Sequence, residues 1–418
     1  MKTMKVALLA TAALAAVSVS ARADDTAAIK AQLEALTARI AQLEAGPAVP
    51  TGFSLLTISE GAATVVPGSE VLNKDAANEG DKATVIGIMP TADLPATTTI
   101  EWSGYVRAAI IYTDNPSGSD NDYDVKTRGQ ITVVGKTDTA VGEVGAKVTL
   151  RANADGYGDV NYVSPTAWGW WAMTPEWTLG GGYQGSLGNI GYGYDGACSC
   201  YYTDNADVAM NPGDVTQMRL SYASGPLSLG LAIEDASSTF TANTAGTIFT
   251  APGFGGDGSS LGAAAEVKYS GDAFNAEVSA VWHDGGNNLV TTGLASASSD
   301  DSWQVGAGAG FSLGDMASIS LAAATGHLRN NQDYWAASIL VSADLSDSVK
   351  AEASYGMKNY DTGASTNWLN NPDVDAALVG IYYEPVDQLT VGLEAEWINP
   401  AGSSNNTTSV DLVTVYRF

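Results

Sequence analysis

From residue 99 onward, apolar and polar residues alternate with a period of two, as strands with one apolar and one wet face require. In "TIEWSGYVRAAIIY", Ile100, Trp102, Val106, Ala108, Ile110 and Tyr112 share one parity, and Glu101, Ser103, Tyr105 and Arg107 share the other. In "VGEVGAKVTLRAN", Val144, Ala146, Val148 and Leu150 oppose Glu143, Lys147, Thr149, Arg151 and Asn153. The same texture predicts strands near 99–112, 125–136, 140–153, 160–173, 175–184, 215–224, 227–236, 261–270, 273–283, 302–313, 317–328, 333–345, 348–359, 374–384, 389–398 and 408–418, sixteen in all. Their connections alternate between tight turns ("KTDT", "TPE", "SGP", "SGD", "GDM", "LSDS", "PVDQ") and mostly longer segments, of which 185–214 and 237–260 are the longest. Short turns on one side and long loops on the other are the pattern of an up-and-down barrel, and runs of about ten residues span a bilayer when tilted. The expected fold is all-β: a 16-stranded antiparallel transmembrane β-barrel over 99–418, preceded by a short coiled-coil helix.

The first 98 residues have a different texture. Lys2 and Lys5, an apolar run from Val6 to Val19 and the small-x-small site Ala21-Arg22-Ala23 predict a signal peptide over 1–23. Over 24–46, Ile29, Leu33, Leu36, Ile40 and Leu43 alternate at spacings of four and three, with Gly46-Pro47 as the stop. That is a heptad seam, expected to form a short periplasmic coiled coil that assists an oligomer assembled elsewhere. Residues 47–98 are rich in Gly, Pro and Thr, carry two weak strand patches ("FSLLTIS" and "ATVIGIM"), and are expected to form a linker or small irregular segment.

Alternation does not say which face is wet, since a soluble barrel turns its apolar residues inward. Ten of the 19 basic residues (Arg107, Lys126, Arg128, Lys136, Lys147, Arg151, Arg219, Lys268, Lys350, Lys358) fall on the polar parity of their strands. Aromatics of the apolar parity sit toward strand ends (Tyr112, Trp282, Trp303, Trp335, Trp397, Phe418), as an interfacial girdle requires. After the leader, no stretch approaches the roughly 20 apolar residues of a membrane helix, so a membrane role requires strands. A net charge of −27 excludes nucleic acid as a partner, because phosphate binding needs clustered Lys and Arg.

Little points to catalysis or a cofactor. Cys198 and Cys200 stand one residue apart with no further Cys or His nearby, a loop feature that oxidation can pair. His283 and His327 are the only histidines. "GYGYDG" at 191–196 matches a dinucleotide fingerprint without a βαβ unit around it, and "GSSLG" around Ser260 matches a nucleophile elbow without a triad. No enzyme and no cofactor are expected. One cation site is open: Asp114, Asp120, Asp122 and Asp124 in the first outer loop offer oxygen ligands for Ca2+.

The run "WSGYVRAAI" as first strand, "MRLSYASGPLSLGLAI", and the closing strand "SVDLVTVYRF" ending on Phe418 resemble the alphaproteobacterial trimeric outer-membrane porins over roughly 99–418. That resemblance implies a barrel of outer-membrane lipid contact, assembled as a homotrimer, with a water-filled pore per chain narrowed by an inward-folded third outer loop. It also implies that Tyr416 and Phe418 belong to the signal read by the outer-membrane insertion machinery. In that family a cysteine-bearing stretch precedes the first strand; here "TVVPGSEVL" stands in its place.

By the strand count, 185–214 is the third outer loop. Its acids Asp195, Asp204, Asp207 and Asp214 are expected to face the wall, opposite a basic patch of Arg107, Lys126, Arg128, Lys147, Arg151 and Arg219. Opposed charges across a pore orient dipolar, hydrated solutes. The outer loops are acidic (Asp300, Asp301, Asp361 and Asp373 besides the first), so a mild cation preference is expected. The expected function is passive diffusion of small hydrophilic solutes and ions across the outer membrane. The alternatives are a channel selective for sugars or organic acids, with Trp168, Trp170, Trp171 and Trp177 as an aromatic slide, and an envelope-tethering protein that contacts peptidoglycan through the coil.

Overall fold

The computed structural model describes residues 56–68, 78–88, 98–114, 122–155, 160–203, 208–235, 261–284, 290–292, 295–297, 301–314, 316–328, 332–361, 373–400 and 406–418. The predicted leader and coiled coil lie outside these residues.

Two strands, β1 (Leu56–Ala62) and β2 (Lys82–Ile88), form a hairpin ahead of the barrel. The barrel follows as β3 (Thr98–Asp114), β4 (Asp122–Thr139), β5 (Gly142–Asp155), β6 (Val160–Ala172), β7 (Trp177–Gly185), β8 (Asp214–Ser224), β9 (Leu227–Asp235), β10 (Leu261–Ser270) and β11 (Phe274–His283). After a small ribbon of β12 (Val290–Thr292) and β13 (Ala295–Ala297), it continues as β14 (Ser302–Ser312), β15 (Ala317–Leu328), β16 (Gln332–Ser346), β17 (Val349–Tyr360), β18 (Val374–Val386), β19 (Leu389–Pro400) and β20 (Thr407–Arg417). Each barrel strand pairs antiparallel with the next, and β20 returns to β3 with Leu412 opposite Ile110 and Tyr416 opposite Val106. The sheet of sixteen strands is therefore closed, and its ladder has no free edge for lipid to meet.

The period-two pattern puts apolar side chains outside. On β3, Trp102, Val106 and Ile110 are exposed while Tyr105, Arg107 and Ala109 are buried. On β20, Val410, Leu412 and Tyr416 point outward, followed by Phe418, and Asp411, Val413 and Val415 point in, the parity the sequence predicts. Each Val, Leu or Ile so placed gains about 1.5–3 kcal/mol by leaving water. At the long-loop rim Trp282 lies opposite Trp303, with Trp335 and Trp397 on the corresponding ends of β16 and β19. At the short-turn rim Phe274 lies opposite Phe311 and beside Tyr269, and Tyr383 and Tyr416 are exposed at the corresponding ends of β18 and β20. Two aromatic rims with aliphatic residues between them match the two interfaces of a bilayer.

The two weak strand patches before residue 98 find a partner because β3 is longer than β20. The last residue of the closing strand pairs at the level of Gly104, where Phe418 N–H donates to Gly104 O (2.9 Å) and Gly104 N–H to Phe418 O (3.0 Å). Below that level β3 is taken over by β2, with Thr84 opposite Trp102 and Ile88 opposite Thr98. The segment expected to be a linker thus contributes two strands.

Candidate functional site

The site is the barrel lumen, and two pieces of chain occupy it. The first comprises residues 186–203 and 208–213, between β7 and β8, which fold into the barrel and pack along the inner faces of β9 to β19. Small inward residues make room for it: Ile190 and Tyr192 lie on Gly306, Gly308 and Gly310 of β14, Leu187 on Gly230 of β9, and Val208 on Gly356 of β17. Gly193 adopts φ +70, and a Cβ there would meet Ser338 and Ala322, so the chain passes too close to the wall for any other residue.

Carboxylates and hydroxyls of the wall receive the loop's backbone N–H groups. Gly191 N–H donates to Glu277 (2.7 Å), Gly193 to Ser320 Oγ (2.8 Å), Tyr194 to Ser338 Oγ (3.0 Å), Ser199 to Glu352 (2.8 Å), Tyr201 to Glu394 (2.8 Å) and Tyr202 to Glu394 (3.1 Å). Tyr194 OH donates to Glu396 (2.6 Å) and the ammonium of Lys358 to Ala209 O (3.0 Å). A loop dry enough to bury Leu187, Ile190, Tyr194 and Tyr201 has no water for these groups, so the wall supplies the acceptors. Cys198 and Cys200 are disulfide-bonded within it, Cα atoms 5.3 Å apart and both buried. Burial pushes the Tyr201 phenol up to about 12, with the Arg417 guanidinium pulling the other way. It is therefore neutral at physiological pH and accepts from Arg417 Nη2 at 3.0 Å.

The predicted site residues divide. Arg107, Lys126, Arg128, Lys147 and Arg151 do share one inner face, on the adjacent strands β3, β4 and β5. Arg107 stacks under the Tyr202 ring (4.4 Å), Lys126 pairs with Asp124 (3.7 Å), Arg128 donates to Asn153 (2.7 Å) and Arg151 to Gln130 (2.7 Å). Arg219 stands apart on β8, donating to Gly185 O (2.8 Å) beneath Trp168. Of the loop acids, Asp195 is turned into the loop and accepts from Asn211 Nδ2 (3.0 Å), and Asp214 lies at the start of β8 opposite Gly185. Asp204 and Asp207 lie outside the described residues. The acids at the contact of loop and wall belong to the wall, Glu234, Glu277, Glu352, Glu394 and Glu396, and the wall bases Arg107, Lys350, Lys358 and Arg417 meet the loop beside them. The sequence signal for them is the inward parity of those residues in strands already recognised.

The second piece comprises residues 63–68 and 78–81, between β1 and β2. Val66 is buried on Val134, Trp168 and Trp170, and Thr64 N–H donates to Glu101 (2.8 Å). Gly68 O accepts from Arg219 Nη1 (2.9 Å) and Gln184 Nε2 (3.1 Å). Asn78 Oδ1 accepts from Arg107 Nη1 (2.9 Å), and Glu79 accepts from Gln130 Nε2 (2.6 Å) and lies 3.7 Å from Lys147. Trp168 and Trp170 are covered by this piece, while Trp171 and Trp177 face outward, so the four do not line one path.

Ser186, Glu234 and His283 meet in the interior, but Ser186 Oγ donates to Glu234 (2.8 Å) and His283 Nε2 faces the same carboxylate (3.0 Å). The hydroxyl is thus spent on the acid, which latches the start of the loop to β9. Among the described residues no three Asp, Glu, His or Cys side chains converge as a metal site; Asp120 of the first outer loop lies outside them.

A closed barrel, apolar outside and polar within, with a loop folded into its lumen, defines the class of transmembrane channels. The chain belongs to the Gram-negative porin family, whose model matches residues 83–418. It is an outer-membrane β-barrel forming a channel for passive diffusion. Its fold is similar to that of the outer membrane channel DcaP of Acinetobacter baumannii (TM-score 0.58, 15% identity, covering 79% of this chain and 99% of that one). It is also similar to an anion-selective porin from Comamonas acidovorans (0.56, 10%, 77% and 100%) and to Salmonella typhi OmpF in complex with daunomycin (0.54, 13%, 77% and 98%). A comparison with curated proteins finds no match.

Proposed function

We propose that the pore passes small hydrophilic solutes and ions without a dedicated substrate site, with a mild preference for cations. The observation that carries this is the lumen wall opposite the loop: Lys126, Arg128 and Arg151 are half-buried groups still in contact with water, each tied to a neighbouring polar side chain rather than converging on one point. Covered Trp168 and Trp170 speak against an aromatic slide and so against a sugar-selective channel. The cation preference follows from a net charge of −27 and from Asp114, Asp122, Asp124, Asp301, Asp361 and Asp373 around the long-loop rim.

On this reading the chain is exported by residues 1–23 and assembles as a homotrimer, helped by a periplasmic coil over 24–46 that can reach peptidoglycan. Tyr416 and Phe418 are read by the insertion machinery. Planar-bilayer recording tests the core of it. Three equal closing steps and a cation-selective reversal potential in a KCl gradient are expected. An anion-selective potential overturns the ion preference, and absence of any conductance overturns the pore.

A further inference from the structure

Residues 63–68 and 78–81 meet the basic side of the lumen with a consistent chemistry. Five cationic side chains point at them, and each finds an oxygen. Arg107 has Asn78 Oδ1 (2.9 Å), Arg417 Nε has Asn78 O (3.2 Å), Arg219 has Gly68 O (2.9 Å), Lys136 has Thr64 Oγ1 (2.6 Å) and Lys147 has the Glu79 carboxylate (3.7 Å). These cations stand on β20, β3, β4, β5 and β8, a contiguous wall once Val66 on Trp168 and Trp170 of β6 and Gly68 O on Gln184 of β7 are added. The folded-in loop covers the other wall. Two arginines join the two pieces: Arg107 carries Asn78 on Nη1 and the Tyr202 ring over its face, and Arg417 carries Asn78 on Nε and Tyr201 OH on Nη2. Gly80, at φ +74, lets the chain lie flat on the Arg417 stem, which a Cβ would strike.

We infer that this strap sets the ion preference of the pore, with Asn78 and Glu79 as its specificity-determining residues. The inference rests on the porin reading above. An arginine or lysine facing a water-filled passage draws anions into it, whereas one capped by an oxygen and paired with a carboxylate does not. Of the five acceptors only Glu79 is charged: Lys136 and Arg417 have carboxylates of the wall nearby, Glu101 at 3.3 Å and Glu384 at 4.0 Å, so Glu79 is the countercharge that the strap itself brings, and it brings it to Lys147. Asn78 acts without charge, by turning Arg107 toward the wall and away from the passage. Neither is required to close the barrel, whose ladder is complete without them.

Reversal potentials of the full-length channel in a KCl gradient test this, with Glu79→Gln, Glu79→Asp and Asn78→Ala/Glu79→Gln against the wild type. Glu79→Gln is expected to raise the chloride-to-potassium permeability ratio about fourfold, because one unit charge at roughly 10 Å across water acts about twofold on each ion and in opposite directions. The double variant should exceed it, and Glu79→Asp should return the wild-type value. Should Glu79→Gln fail to assemble, Glu79→Cys inserted in the bilayer and labelled in place gives the same answer. A negative sulfonate reagent must then move the potential toward potassium and a positive ammonium reagent toward chloride. Conducting variants with the wild-type ratio, or a labelled cysteine blind to the sign of the reagent, overturn the strap's role and leave the porin reading standing. A wild type that does not conduct overturns the porin reading itself.

Discussion

Glu394 on β19 takes four donors at once: the N–H groups of Tyr201 and Tyr202, Thr203 Oγ1 and Tyr382 OH, all within 3.1 Å. It is fully buried, and these four donors satisfy the carboxylate in the absence of exposure to solvent. Glu394→Gln replaces one acceptor oxygen with an NH2 group facing a donor. Charge-assisted bonds of this kind contribute about 1.5–3 kcal/mol each, and an orphaned buried donor costs a similar amount. The loop tip should therefore undock transiently, giving added open-channel noise and cleavage by chymotrypsin after Tyr201 or Tyr202 in an otherwise heat-stable barrel. A quiet, resistant mutant would show that the tip is held elsewhere. That Glu394 faces inward was legible in "LTVGLEAEW", because its parity is opposite to that of Leu393 and Trp397. That it binds a segment 191 to 193 residues away was not, since two of the three partners there are backbone N–H groups, which every residue but proline has. Asp195 shows the reverse case: a charge visible in the sequence whose partner, Asn211, is supplied by the loop's own fold.

At the scale of elements, the barrel strands were readable because lipid on one side and water on the other impose a strict period of two over about ten residues. The predicted sixteen all appear, including "VNYVSPTAWGWWA" and "WTLGGGYQG", whose glycines and proline blur the alternation. The β1–β2 hairpin was less legible because neither strand is buried on a whole face and its partner is the overhanging foot of β3. It is fastened at the short-turn rim by Lys82, which lies 2.7 Å from Asp387 and 3.5 Å from Glu60. The hydrogen bond from Lys82 holds the Asp387 carboxyl below its ordinary 3.8, and Asp387 in turn raises Lys82 above 10.5. A lowered carboxyl stabilises the contact above its ordinary value and loses that stabilisation as pH falls through the lowered one. A raised amine stabilises it below its ordinary value and loses it as pH climbs through the raised one. The clasp is thus intact between the two and opens in acid. Both groups are exposed, so the effect is small. Amide protection of β2, corrected for intrinsic exchange, should fall between pH 6 and pH 3, and Asp387→Asn should abolish that difference. Equal protection at both pH values would show that the β2–β3 ladder alone holds the hairpin.

At the scale of the whole molecule, the seam between β20 and β3 decides whether a closed barrel exists. Phe418 contributes two backbone hydrogen bonds there and a ring that lies over Gly104, where a Cβ would collide with it. Deleting Phe418 removes both bonds and the ring, about 2–4 kcal/mol in all. The folded, fast-migrating form on unheated gels should then convert to the unfolded form at a lower temperature, with little change in the conductance of channels that do form. An unaltered conversion temperature would mean the seam is stable from Tyr416 inward.

The strap also carries a consequence for the order of assembly. Asn78 is held by Arg107 of β3 and Arg417 of β20, the first and last barrel strands, and the second of these contacts spans 339 residues of sequence. Contacts this distant in sequence close the largest entropic loops and form late. Until the two ends of the sheet meet, the anchor points of the strap are on opposite margins of an open ribbon. The passage therefore acquires its inner lining at the moment it becomes a tube.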